Sequence, residues 1–131
     1  SVNAEKTLFH YKNGNGATIA CFNLSFPYGL TLHEKLKEKG IDASLFSVNS
    51  VTPIDWKDII EDVKKTKNLV VIDDSKSENL SCDNLLVAAY ENCKMDHAIA
   101  VKRDIKGNDW LWPNLDELRI DYEEIAKKLL G

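Results

Sequence analysis

A three-layer α/β fold, with a parallel sheet and helices packed on both of its faces, is what this sequence predicts, and three features carry the expectation. The apolar run Leu69 to Ile72 is too short for a helix and does not alternate, so both of its faces should be covered, as in a central parallel strand. Strand-like runs alternate with segments of helical periodicity along the chain, joined by short connections that favour right-handed crossovers. At 131 residues the chain suits a single domain, 1–131, that buries roughly two-thirds of its extended-chain surface without metals or disulfides.

Thr7 to Tyr11 reads as a short lead-in strand, and Asn13-Gly14-Asn15-Gly16 as a tight turn whose glycines supply positive φ before the strand Ala17 to Phe22. A dinucleotide fingerprint would place its glycines after the strand, so a Rossmann reading fails on position. Tyr28, Leu32 and Leu36 step by four along the next helix, which runs to Lys37-Glu38-Lys39 with Gly40 as its stop. Ile41 to Val51 is the second strand, left at Pro53. Its alternation of Ala43, Leu45 and Ser47 against Ser44, Phe46 and Val48 predicts a place nearer the sheet's edge.

Pro53 has no N–H to give a ladder, and Asp55 is placed to cap the helix that follows. In that helix Trp56, Ile59, Ile60 and Val63 share one face. Asp58, Glu61 and Asp62 come early and Lys64, Lys65 and Lys67 late, an order that suits the helix dipole. Lys67 onward gives the third strand. Cys82, Leu85, Leu86, Ala89, Tyr90 and Cys93 then recur at helical spacing, His97 to Val101 forms a fourth main strand, and Asp121-x-x-Glu124 opens a terminal helix with Tyr122, Ile125, Ala126 and Leu129 on one face.

A net charge of -4 with interspersed signs offers no basic stripe, so nucleic-acid binding is not expected. Apolar runs never approach the ~20 residues that span a bilayer, and the first residues lack the pattern of a signal peptide, which makes a soluble cytoplasmic protein without membrane contact the expectation. Three cysteines, none with a CxxC or histidine partner, read as buried thiols of a reducing compartment; Cys82 and Cys93, ~16 Å apart along a helix, lie beyond disulfide reach.

In an open doubly wound sheet any ligand sits at the carboxyl ends of the strands, here Asn23 to Ser25, Asn49 to Thr52, Asp73 to Ser77 and Lys102 to Asp104. Asp73-Asp74 reads as a capping and loop-solvating pair, since a magnesium site needs further oxygen ligands that the sequence does not group nearby. His10, His33 and His97 are scattered without metal spacing, and no Gly-x-Ser-x-Gly elbow supports a hydrolase. Trp110 and Trp112 carry too much apolar area to leave wet, and either pack over the sheet edge or form an interface.

Several motifs resemble the C-terminal domain of transketolase-like enzymes. They are Ala17 to Phe22, Pro27-Tyr28-Gly29, the Lys37-x-x-Gly40-Ile41 exit, Val51-Thr52-Pro53-Ile54-Asp55 and Leu69 to Asp74. Trp112-Pro113-x-Leu115-x-Glu117-Leu118 is similar to the tail of 2-oxoacid dehydrogenase beta subunits. The resemblance implies a five-stranded, mostly parallel sheet with one antiparallel edge strand, excised from a longer enzyme of the 2-oxoacid dehydrogenase, transketolase or deoxyxylulose phosphate synthase kind. It implies that thiamine diphosphate and magnesium are bound by other domains and that this chain alone is inactive. Its implied partners are those thiamine-binding domains, a second copy or beta subunit, and an acyltransferase core. One departure is the glycine-free stretch Ser75 to Ser81, where the family has a glycine-rich turn. The alternatives are a 2-oxoacid:ferredoxin oxidoreductase domain, or a stand-alone ligand-binding or regulatory module using Asn23, Ser50, Asp74 and Lys76 at the carboxyl edge.

Overall fold

The computed structural model describes residues 8–22, 25–48, 56–73, 80–102 and 120–130. Five strands, β1 (Leu8–Lys12), β2 (Ala17–Phe22), β3 (Ala43–Val48), β4 (Asn68–Asp73) and β5 (His97–Lys102), form one sheet in the order β1-β3-β2-β4-β5. The pairs β2/β3, β2/β4 and β4/β5 are parallel, and β1 runs antiparallel along β3 with a bulge between His10 and Lys12. Helices α1 (Phe26–Glu38) and α4 (Tyr122–Leu130) cover one face; α2 (Lys57–Thr66) and α3 (Leu80–Asn92) cover the other. The expected three layers and antiparallel edge strand are therefore present.

Alternating residues of the central strands feed two separate cores. Ile19, Cys21, Leu45, Val70 and Ile72 meet Leu32 and Leu36 of α1 and Ile125 and Ala126 of α4. Ala20, Phe22, Phe46, Leu69 and Val71 meet Ile59 and Val63 of α2 and Leu85 and Ala89 of α3. With neither face wet, β2 and β4 have no polar side to display, which is why their sequences do not alternate.

The helix stops are local. Past α1, the Ile41 N–H reaches the Leu36 carbonyl at 2.8 Å and the Gly40 N–H reaches Lys37 at 3.0 Å, with Gly40 at φ +83°. This is the Schellman arrangement, and Leu36 and Ile41 share a core across it. Lys67 performs the same service after α2 at φ 63°, donating to Val63, without glycine's freedom. At the start of α4, the Asp121 carboxylate accepts the Glu124 N–H at 3.0 Å, as the spacing predicts.

Several expectations need correction or refinement. Gly14 and Gly16 do not have positive φ, because β3 lies between β1 and β2 and no tight turn joins neighbours there. Glycine is needed at 14 for closeness instead: a Cβ would stand 2.6 Å from the backbone of Ala43. β3 does lie toward the sheet's edge, with β1 alone outside it, but all six of its residues are buried, so its serines do not mark a wet face. The N-cap position of α2 is Trp56, which makes no side-chain capping bond; Pro53 and Asp55 lie outside the described residues. Finally, Tyr90 is 65% exposed. It stands about 100° around the helix from Ala89 and about 140° from Leu85, which turns it off the buried stripe. Cys93 follows the end of α3 and is half-buried rather than buried.

Candidate functional site

The parallel strands give the sheet two ends, and the described polar residues concentrate at the amino end. Asp62 on α2 is 7% exposed. One of its carboxylate oxygens accepts the Thr18 hydroxyl at 2.6 Å; the other accepts the Ser44 hydroxyl at 2.9 Å and lies 3.3 Å from the Lys65 ammonium. The Ser44 oxygen accepts the Gly14 N–H at 2.9 Å, and Lys65 also donates to Asn13 at 3.1 Å. Because Thr18 gives its proton to Asp62, Thr66 is the donor when its hydroxyl meets Thr18 at 2.8 Å. Ser44 and Thr66 each have a second acceptor in reach, the Gly14 and Asn68 carbonyls, both at 3.1 Å.

Asn68 extends this network to the neighbouring strand. Its amide nitrogen donates to the Gly16 carbonyl at 2.8 Å, which leaves its oxygen 2.8 Å from His97 Nδ1, so that ring nitrogen carries the hydrogen. Asp62 is buried and already engaged by two hydroxyls and one ammonium. The cluster ties the 13–16 loop, β2, β3 and α2 together, and its chemistry is structural.

The sequence contains a signal for Asp62 that the dipole reading missed. Ile59, Asp62, Val63 and Thr66 fall at i, i+3, i+4 and i+7, so the acid belongs to the sheet-facing side of α2.

At the carboxyl end the structure describes one of the expected site residues. Asp73 ends β4, 3% exposed, paired in register with Phe22 on one side and Lys102 on the other. Phe22 in turn packs against Trp56, ring centroids 6.0 Å apart and tilted by 59°. Asn23, Ser50, Asp74, Lys76, Trp110 and Trp112 lie outside the described residues, so no constellation with Asp73 is established. Among the described residues, no group of three or more His, Cys, Asp or Glu side chains could hold a metal ion. No described helix is long and apolar enough to cross a membrane. A cleft of about 1040 Å³ along α4, lined by Lys39, Asp121, Glu123, Lys127 and Leu130 among others, is open and mixed in charge, without the enclosed apolar walls of a small-molecule site.

Burial pushes the Cys21 thiol up to about 12 from its ordinary 9.0, partly offset by a hydrogen bond with the Gly29 backbone. In the unfolded chain the thiol ionises from about pH 9, while the folded chain keeps its proton until about 12, so the folded state binds more protons across that window. Stability is therefore unaffected by this group below about pH 9 and falls as pH rises above it, by up to ~1.4 kcal/mol per pH unit. Burial raises Cys93 and Tyr122 as well, adding the same sign. Urea denaturation from pH 8 to 10.5 should show this loss, and Cys21→Ala should make its slope shallower; an unchanged slope would contradict the assignment to Cys21.

Comparison with known proteins agrees with this architecture. The profile of the family "Transketolase, C-terminal domain" matches residues 7–103. The pyruvate dehydrogenase E1 component subunit beta of Rhizobium meliloti is 30% identical over 113 residues, covering 84% of this chain and 24% of that protein. The mitochondrial subunit beta-1 of Arabidopsis thaliana is 29% identical over 88% of this chain and 33% of its own length. The 2-oxoisovalerate dehydrogenase subunit beta of Bacillus subtilis is 25% identical over 70% of the chain and 28% of its own length. The chain thus spans between about a quarter and a third of these relatives. A solved structure described as a split gene transketolase, inactive beta4 tetramer, superposes with a TM-score of 0.68 at 17% identity, covering 94% of this chain and 40% of that one, a likeness of fold. Shared sequence over most of the domain, on a sheet whose one antiparallel strand lies at its edge, establishes that this chain belongs to the transketolase C-terminal domain family.

Proposed function

We propose that this chain is the C-terminal assembly and docking domain of a thiamine diphosphate-dependent enzyme of the 2-oxoacid dehydrogenase or transketolase kind. The family match over residues 7–103, on a chain spanning 24% of a pyruvate dehydrogenase beta subunit, carries the reading. Its role is to hold a dimer or beta-subunit contact and to dock the thiamine-binding domains, with an acyltransferase core as a further partner in a dehydrogenase complex. The reducing cytoplasm suits its free thiols Cys21 and Cys93.

The described residues do not fit thiamine diphosphate and its magnesium. Asp62 is engaged by Thr18, Ser44 and Lys65, and among the described residues no group of three or more His, Cys, Asp or Glu side chains could hold a cation. Other domains supply that site in this proposal, and the cofactor supplies the carbanion chemistry there. Titration calorimetry of the isolated chain with thiamine diphosphate and magnesium should give no saturable heat, and addition of pyruvate or 2-oxoisovalerate no cofactor-dependent decarboxylation. Saturable micromolar binding or turnover by the chain alone would overturn the reading.

A further inference from the structure

We draw no further inference here: the strongest candidate, the outward face of α3 that leaves Val87 and Tyr90 54% and 65% exposed, is an apolar patch for which nothing in the structure shows what covers it.

Discussion

Replacing Asp62 with alanine should cost about 3 kcal/mol of folding stability, the largest loss expected from a single polar substitution among the described residues. The carboxylate sits at 7% exposure and accepts two hydroxyls that are themselves fully buried, Thr18 and Ser44. Each hydrogen bond to a charged group is worth about 1.5–3 kcal/mol, and the hydroxyls left behind would fall back on neutral acceptors, Ser44 on the Gly14 carbonyl at 3.1 Å and Thr18 on the Thr66 hydroxyl at 2.8 Å. Lys65 moderates the loss, because its side chain is 42% exposed and water can take over its charge. Asp62→Asn should recover part of the stability, since its one carbonyl oxygen can keep one hydroxyl while its NH2 group turns a donor toward the other. Urea unfolding should report the change as a lower midpoint at unchanged slope. A loss below about 1 kcal/mol for Asp62→Ala would mean that the acid is solvated and the amino-end network adds little.

The second large effect is steric. Gly29 lies in α1 where the helix crosses β2 and β3, and a Cβ there would overlap the Cys21 sulfur and stand 2.9 Å from Leu45 Cδ1. Both neighbours are fully buried, so neither side chain can swing away. Gly29→Ala should therefore destabilise by ~2 kcal/mol, the overpacking outweighing the ~1 kcal/mol that alanine ordinarily gains over glycine inside a helix. Cys21→Ala empties the space the new methyl needs. Although that change alone leaves a small void, the double variant should be more stable than the sum of the two single losses by ~1 kcal/mol or more. Additive effects would show that the helix does not rest on Cys21.

These two residues also mark what sequence reading could and could not reach. The strands β2 and β4 were legible because burial on both faces leaves an uninterrupted apolar run, and the stop at Gly40 because a Schellman turn favours one residue type. Helix α4 was legible through Asp121, whose partner is three residues away. Asp62 was harder, since its partners Thr18 and Ser44 are 44 and 18 residues distant and a carboxylate among lysines reads first as solvated. Ser44 misled in the same way: a polar residue in a strand looks like a wet face until its acceptor is known. Gly14 and Gly29 are demanded by approaching backbone and sulfur, which no local turn pattern encodes.

The candidate site divides along similar lines. Topology alone directs attention to the carboxyl end of the sheet, and Asp73 stands there at the end of β4. The remaining expected residues, Asn23, Ser50, Asp74, Lys76, Trp110 and Trp112, fall in connections outside the described residues.

Light scattering of the isolated chain across a concentration series, alone and mixed with separately produced thiamine-binding domains of a 2-oxoacid dehydrogenase, tests the assembly role most directly. A mass that rises with concentration toward a dimer, or a stable complex in the mixture, is the predicted result. A strict monomer that also ignores the thiamine-binding domains would contradict an assembly and docking function and favour the stand-alone ligand-binding module.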